Sequence, residues 1–188
     1  MAMPDLADIA ADYSGKSRTV LDYCLTTKRL VDEAKKPGFT VDSWAPLAEL
    51  IDSDAFVRVG NFKEVMNWQE YVGFLTNWAA SSEWDCSLRR VIEADNVVFL
   101  ELEERSRIGD FSNSVNSIST YEFNGSGTIT RIDVYLQMAL PDPDMLAGYD
   151  VIEISGVDPQ SADFPVAAAY PARKPKTIAG PIVPPAPP

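Results

Sequence analysis

The segment that most constrains the fold is Val97–Ile108, where residue character alternates along the whole stretch. Its even positions are Val98, Leu100, Leu102, Glu104, Ser106 and Ile108, and its odd positions are Phe99, Glu101, Glu103, Arg105 and Arg107. A period of two is typical of a β-strand with one buried and one solvent-facing side. We therefore expect a half-buried strand in which Glu104 is a carboxylate on the mostly apolar side.

Three neighbouring segments have the same strand character: Trp84–Ala94, Ser114–Phe123 and Thr128–Met138. Asp95-Asn96 is a two-residue hairpin signal, and Gly109-Asp110 begins a looser connection. Together these features predict a meander of long antiparallel strands.

The first part of the chain predicts three helices and a short strand. Ser17–Lys36 has helical apolar spacing, a second, short helix begins near Asp42, and the third covers Met66–Trp78. The strand is Ala55–Val59, between the last two helices. One helical layer packed on one curved antiparallel sheet, an α+β fold, is the economical architecture.

The domain prediction has three parts: a weakly structured N-terminus over residues 1–16, a domain over 17–140 and a Pro-rich extension over 141–188. The extension holds eleven of the fourteen prolines, which exclude helix and central strand from its last stretch. It is either a disordered tail or an extended strap, and we favour the strap because polyproline conformation costs little entropy to fix.

The net charge of −12 limits the partners of this chain. An acidic protein without a basic run repels nucleic acid and anionic membrane surfaces, so neither is an expected partner. There is no apolar run of membrane-spanning length and no basic-then-apolar signal pattern at the N-terminus. We therefore expect a cytoplasmic protein, with Cys24 and Cys86 as reduced, buried thiols.

The sequence contains no histidine. This excludes histidine-based acid/base chemistry and catalytic triads, and it removes the commonest metal ligand. Carboxylates, tyrosines and lysines are left for proton transfer, and we expect neither a metal nor another cofactor.

The order of elements, with Asp54–Arg58, Tyr71–Trp78 and Gly127–Gln137, resembles the nuclear transport factor 2-like superfamily. That superfamily includes ketosteroid isomerases, SnoaL-like polyketide cyclases and limonene epoxide hydrolases. The resemblance implies a cone-shaped α+β domain whose curved sheet and three helices enclose a hydrophobic pocket for a small apolar molecule. It also implies a homodimer formed through the sheet.

The resemblance also assigns positions. The epoxide hydrolases carry Tyr and Asn on the first strand, and these positions correspond to Val57 and Val59 here. Their Arg and Asp on a middle strand correspond to Leu102 and Glu104. Their last-strand Asp and the Tyr that follows it correspond to Val134 and Tyr135. Glu104 keeps the chemical type. Asp133 enters the pocket only if the last strand presents its other face, through a one-residue slip or a bulge.

Glu104 and Asp133 are the catalytic candidates. A carboxylate in an apolar cavity has a raised pKa, which suits a general acid or base near neutral pH. The alternative for Glu104 is a solvated or arginine-paired position at the pocket mouth, and for Asp133 a lattice of charges on the outer sheet. The candidate ligand-binding residues are Arg58, Asn61, Trp68, Tyr71, Trp78, Leu102, Val134 and Tyr135.

Two functions therefore remain open. The first is a pocket enzyme of SnoaL-like type that isomerises, cyclises or hydrolyses an apolar ligand by cofactor-free carboxylate acid/base chemistry. The second is a non-catalytic ligand-binding or dimerisation module of the same fold.

Overall fold

The computed structural model describes residues 6–138, in which an open, six-stranded sheet packs against helices. The helices are α1 (Leu6–Ala10), α2 (Gly15–Glu33), a 3₁₀ helix (Val41–Trp44), α3 (Ala45–Ala48) and α4 (Trp68–Ala79). The strands are β1 (Val57–Val59), β2 (Val65–Met66), β3 (Ser82–Ala94), β4 (Val97–Ile108), β5 (Phe111–Phe123) and β6 (Ile129–Gln137). The predicted α+β architecture is confirmed.

The strand order is β2-β1-β6-β5-β4-β3. Neighbouring strands are antiparallel except β1 and β6, which run parallel, so the sheet is mixed and not wholly antiparallel as predicted. The chain between β1 and β6 contains α4 and the rest of the meander. Because no hairpin joins these two strands, turn chemistry does not determine their relative direction.

The alternation in β4 is confirmed. Val98, Leu100 and Leu102 are at most 4% exposed, whereas Phe99 is 43% exposed. We call the side of the sheet that carries Leu100 the inner face and the side that carries Phe99 the outer face. Residues directly opposite one another in register share a face, so the assignments in β4 extend to its neighbours.

The hairpins at the two ends of β4 are tight. Asp95, before Asn96, has a φ of 56°, and Gly109, before Asp110, has a φ of 59°. The second turn is shorter than the predicted connection, so β5 begins at Phe111 and not at Ser114. Both turns use the left-handed backbone region that matches the twist of a two-residue hairpin.

The N-terminal end of α2 is fixed to the sheet by Glu93 of β3. The Ser17 amide and hydroxyl both donate to Glu93 Oε2, at 3.1 Å each. The preceding residues, predicted to be weakly structured, include the short helix α1, whose Leu6 and Ala10 are buried. Contact with the rest of the core stabilises a helix too short to form alone.

The helix α4 begins at Trp68, after a capping box, and not at Met66 as predicted, because Met66 belongs to β2. The amide of Glu70 donates to Asn67 Oδ1, and the amide of Asn67 donates to Glu70 Oε2. Tyr71, Val72 and Leu75 form its buried stripe. Asn67 therefore caps the helix, and α4 presents its aromatic side to the inner face.

Cys24 and Cys86 are buried and free, as predicted. No helix within residues 6–138 is long and apolar enough to cross a membrane. The Pro-rich extension predicted over residues 141–188 lies outside the described residues, so its two alternatives remain predictions.

Candidate functional site

Glu104 lies on the inner face of the sheet, opposite Cys86 of β3 and Val115 of β5. Its side chain is half-buried. The indole Nε1 of Trp84 donates a hydrogen bond to Glu104 Oε2 at 2.8 Å. Within residues 6–138 it forms no ion pair, so the alternative of an arginine partner is not realised there. One oxygen of this carboxylate is thus held by a neutral donor.

Four buried acids lie within electrostatic reach of Glu104: Cys24, Cys86, Tyr71 and Tyr121. Burial is the main cause that raises the pKa of each, and the negative charge of Glu104 raises each pKa further. The pKa of Cys86 rises to about 12. Around Glu104 the inner face therefore combines a carboxylate with weak acids that stay neutral at physiological pH.

Two of the phenols are joined directly. The hydroxyl oxygens of Tyr23 and Tyr71 lie 2.5 Å apart in a hydrogen bond, and the ring of Tyr23 packs edge-on against Tyr121 with 5.6 Å between centroids. Burial raises the pKa of Tyr23 well above its ordinary value. One hydroxyl of this pair donates to the other, so a single proton remains free to donate to a ligand oxygen, and neither hydroxyl is a base at neutral pH. We call Glu104, Trp84, Cys24, Cys86, Tyr23, Tyr71 and Tyr121 the interior cluster.

The sequence prediction missed Tyr23 and Tyr121. Tyr23 lies on the buried stripe of α2, and Tyr121 faces Val98 in register. The helical period alone identifies Tyr23 as buried. Its partnership with Tyr71 depends on how α2 and α4 approach one another, which the two helix patterns do not determine.

Arg58 belongs to the inner face. It pairs in register with Ile132 of β6, which is 2% exposed, and its side chain is 13% exposed. Val57 and Val59, on either side of it, pair with Arg131 and Asp133 on the outer face. The assignment of Val57 and Val59 to pocket positions is therefore corrected: β1 presents Arg58 inward.

Asp133 and Tyr135 lie on the outer face, opposite Thr120 and Ile118 of β5. Both oxygens of Asp133 accept hydrogen bonds from Arg131, at 2.9 Å each. Tyr135 is 60% exposed. The exchange of faces that would bring Asp133 inward does not occur in β6, so these two residues are removed from the interior site.

The other predicted ligand-binding residues either lie on the inner face or pack against residues of the interior cluster or of the core. Leu102 and Val134 are on the inner face, buried and half-buried. Trp78 packs edge-on against Trp84, the partner of Glu104, with 6.5 Å between ring centroids. The indole of Trp68 packs against Phe56 and Tyr71.

Asn61, also a predicted ligand-binding residue, has a structural partner. Its side-chain Oδ1 accepts a hydrogen bond from the amide of Leu136 at 2.9 Å. Asn61 follows the end of β1, so this bond ties the loop after β1 to β6. We therefore assign Asn61 a role in holding the sheet edge.

Comparison with known proteins shows the fold. No family model and no curated protein matches this chain. A protein assigned as a SnoaL-like polyketide cyclase in Shewanella putrefaciens is similar over 72% of this chain and 90% of its own, with a TM-score of 0.55 and 9% identity. An LEH-like epoxide hydrolase from M. tuberculosis is similar over 60% of this chain and 84% of its own (TM-score 0.45, 14% identity).

A third similar structure is an NTF2-like protein of unknown function from Cytophaga hutchinsonii, over 72% of this chain and 97% of its own (TM-score 0.43, 14% identity). The fold of this chain is therefore an α+β fold of the nuclear transport factor 2-like type, which the Shewanella protein shares at a TM-score of 0.55. At these identities the similarity concerns the fold, and any activity has to be argued from the interior cluster.

Proposed function

We propose that the inner side of this domain binds a small, largely apolar molecule and that Glu104 exchanges a proton with it, without a cofactor. The observation that carries the proposal is the state of Glu104: a half-buried carboxylate held through Oε2 by Trp84, with no ion pair in the described part of the chain. A carboxylate with a fixed orientation and a free oxygen is suited to act as a general base.

The surroundings of Glu104 define the kind of reaction. Abstraction of a proton from a ligand carbon, or from a water that then attacks the ligand, leaves negative charge on a ligand oxygen, and the hydroxyl of the Tyr23–Tyr71 pair that does not donate to its partner can stabilise this oxyanion by hydrogen bonding. Isomerisation, ring closure and hydrolysis all begin with this step. The proposal is therefore an isomerase, cyclase or hydrolase of SnoaL-like type.

Replacement of Glu104 by glutamine tests the proposal. The amide keeps the shape and can still accept from Trp84, but it cannot take a proton, so we expect kcat to fall at least about 100-fold. Turnover would be measured on a panel of cyclic epoxides and unsaturated ketones. Thermal unfolding would show that the variant remains folded.

The matched control is Glu101→Gln, which changes a carboxylate three residues away on the same strand, on the outer face. Glu101 forms an ion pair with Arg90 at 3.4 Å and lies on the other side of the sheet from Trp84. This variant should retain wild-type turnover. Equal turnover of the Glu104→Gln variant and the wild type would contradict proton transfer by Glu104.

A specific observation also favours the second function, a non-catalytic binding module. The resemblance matches Leu102 and Val134, both on the inner face, to polar groups of the epoxide hydrolases, so Glu104 lies there without the arginine and the second carboxylate of that pattern. A binding module would take up ligands with the same affinity in wild-type and Glu104→Gln protein and would turn over none of the panel.

The proposal places the protein in the cytoplasm as a homodimer formed through the outer face of the sheet. Two free buried thiols fit a reducing compartment. Four large side chains lie exposed in two adjacent rows of the outer face, which we call the outer patch: Ile92, Phe99, Ile118 and Tyr135, each at least 43% exposed. A contiguous apolar patch rimmed by charged residues is typical of an interaction surface.

The dimer proposal predicts that Phe99→Glu is monomeric. A charge at the centre of the outer patch has to be desolvated for association, which shifts the equilibrium strongly toward the monomer. Light scattering coupled to size-exclusion chromatography measures the mass. Val41→Glu, which charges an exposed residue of the 3₁₀ helix, should remain dimeric, and a monomeric wild type would contradict the proposal.

A further inference from the structure

We propose that Arg58 is the binding site for a carboxylate group of the ligand, and that Glu64 occupies this site as an internal counterion until the ligand displaces it. The inference rests on the proposed function, because it assumes that a small molecule enters the inner side of the domain. It adds a substrate class: a carboxylic acid with an apolar, aromatic body.

The first observation is that Arg58 is enclosed by aromatic rings. Its guanidinium carbon lies 5.2 Å from the ring centroid of Tyr71 and 5.7 Å from that of Phe74. The two rings are stacked, with 15° between their planes and 6.4 Å between centroids. Rings at these distances attract the cation and hold its position, but they leave its N–H groups in need of acceptors.

The second observation is that the acceptor present is poorly placed. Arg58 Nη1 lies 3.5 Å from Glu64 Oε1, and this nitrogen is buried without a hydrogen-bond partner in the described part of the chain. A guanidinium normally binds a carboxylate through two parallel hydrogen bonds of about 2.7–2.9 Å. A buried cation that lacks such a partner has capacity to bind a better-placed anion.

The third observation is that Glu64 can be displaced without disturbing the sheet. It is the last residue of the turn between β1 and β2, its side chain is 38% exposed, and its Oε2 accepts from the amide of Phe62 at 2.9 Å. Turning this side chain outward returns its carboxylate to water. The backbone bonds that close the turn, Gly60 N to Glu64 O and Lys63 N to Gly60 O, are not involved.

Gly60 is what allows Glu64 to reach Arg58. A β-carbon added at Gly60 would lie 1.6 Å from Glu64 Oε1, and the three nearest atoms it meets all belong to the Glu64 carboxyl group. The backbone of Gly60 is not in the left-handed region, so alanine is compatible with its conformation. Gly60→Ala would therefore push the carboxylate away from Arg58 without changing any charge.

A carboxylate fits this site better than a phosphate. The site offers a single guanidinium, which matches one monoanionic carboxylate, whereas a phosphate dianion usually requires several donors. The chain carries a net charge of −12, which repels a more highly charged anion more strongly. Phe74, whose ring lies beside Arg58 and which is 42% exposed, offers a flat apolar surface for an aromatic body.

The experiment uses three matched pairs of probes: benzoate and benzamide, 2-naphthoate and 2-naphthamide, and 4-biphenylcarboxylate and its amide. Calorimetric titration of the full chain measures each Kd. We expect the wild type to bind at least one carboxylate about tenfold or more tightly than its amide, since a charge-assisted bond is replaced by a neutral one. Arg58→Met should remove this preference, and Arg90→Met, on the outer face, should retain it.

Glu64→Gln and Gly60→Ala provide the sharper test, because both leave Arg58 in place. Each should tighten carboxylate binding about three- to tenfold and leave amide binding unchanged, since each removes the internal competitor. Equal affinities for acid and amide in the wild type, or unchanged carboxylate affinity in both variants, would overturn the anion site while ligand binding stands. Failure of all six probes to bind would overturn the anion site together with interior binding.

Discussion

Raising the pH from 8 to 11 is expected to unfold this protein in one cooperative transition, with a midpoint between about pH 10 and 11. The cause is the set of buried acids in the interior cluster. Burial raises the pKa of Cys24, Tyr23 and Tyr121 well above their ordinary values, and it raises that of Cys86 to about 12. In the unfolded chain thiols ionise near pH 8.5 and phenols near pH 10.

The sign follows from the protons bound in each state. Above pH 8.5 the unfolded chain releases thiol protons that the folded protein keeps, so the free energy of unfolding falls as pH rises. Each such group lowers the free energy of unfolding by about 1.4 kcal/mol for every pH unit above the pKa that it has in the unfolded chain. The two thiols together therefore lower it by about 5 kcal/mol at pH 10.5. The buried phenols add to this loss above pH 10. The two losses together reach about 8 kcal/mol at pH 10.5, which exceeds a total stability in the lower half of the usual range of about 5–15 kcal/mol.

Circular dichroism and absorbance at 295 nm, recorded on one pH series, measure unfolding and tyrosine ionisation together. The buried tyrosines should ionise only as the protein unfolds. In a Cys24→Ala/Cys86→Ala double variant, the loss of stability between pH 8 and pH 10.5 should be smaller by about 5 kcal/mol. Full ionisation of all tyrosines with an unchanged circular dichroism spectrum would contradict this account of the core.

Replacing Trp44 by alanine is expected to lower the free energy of unfolding by about 3–5 kcal/mol. Trp44 is fully buried, and its ring packs edge-on against Phe39 with 5.5 Å between centroids. Its Nε1 donates to Thr76 Oγ1 at 2.9 Å, which joins the 3₁₀ helix to α4. The substitution removes the largest fully buried side chain of residues 6–138 and leaves a cavity between these elements.

Urea denaturation measures the effect, and two variants separate its causes. Trp44→Phe refills most of the volume but loses the hydrogen bond, so we expect a cost of about 1–2 kcal/mol. Val41→Ala changes an exposed residue of the same 3₁₀ helix and should stay within about 0.5 kcal/mol of the wild type. A Trp44→Ala variant as stable as Val41→Ala would show that the 3₁₀ helix is not part of the cooperative core.

Much of the fold could be predicted because long strands and amphipathic helices carry periodic patterns. The alternation of Val97–Ile108 placed Leu100 and Glu104 on the inner face, and the aromatic spacing placed Tyr71 on the buried side of α4. Short elements carry no such pattern. The three residues of β1 cannot show a period of two, so the inward position of Arg58 became visible only through its register with Ile132.

Residues of the candidate site could be predicted only where the pattern of one strand determines the face on which they lie. Glu104 is such a residue. Asp133 is not, because its face depends on whether β6 is bulged, and the irregularity of β6 lies near Phe123 and Ile129 without bringing Asp133 inward. The pairing of Trp84 with Glu104 and of Tyr23 with Tyr71 joins residues on different elements. Such contacts depend on how two elements pack together, which the sequence pattern of either element alone does not predict.

The parallel pairing of β1 with β6 also determines the order in which the domain can be assembled. The strands from β3 to β6 pair through hairpins that close short loops. The pairing of β1 with β6 instead brings together residues far apart in sequence, such as Val57 and Arg131. Closing that long loop costs more entropy, and it has to wait until β6 has been synthesised. We therefore expect Arg58 to keep its hydration until β6 is in place, so that the cation is enclosed late in folding.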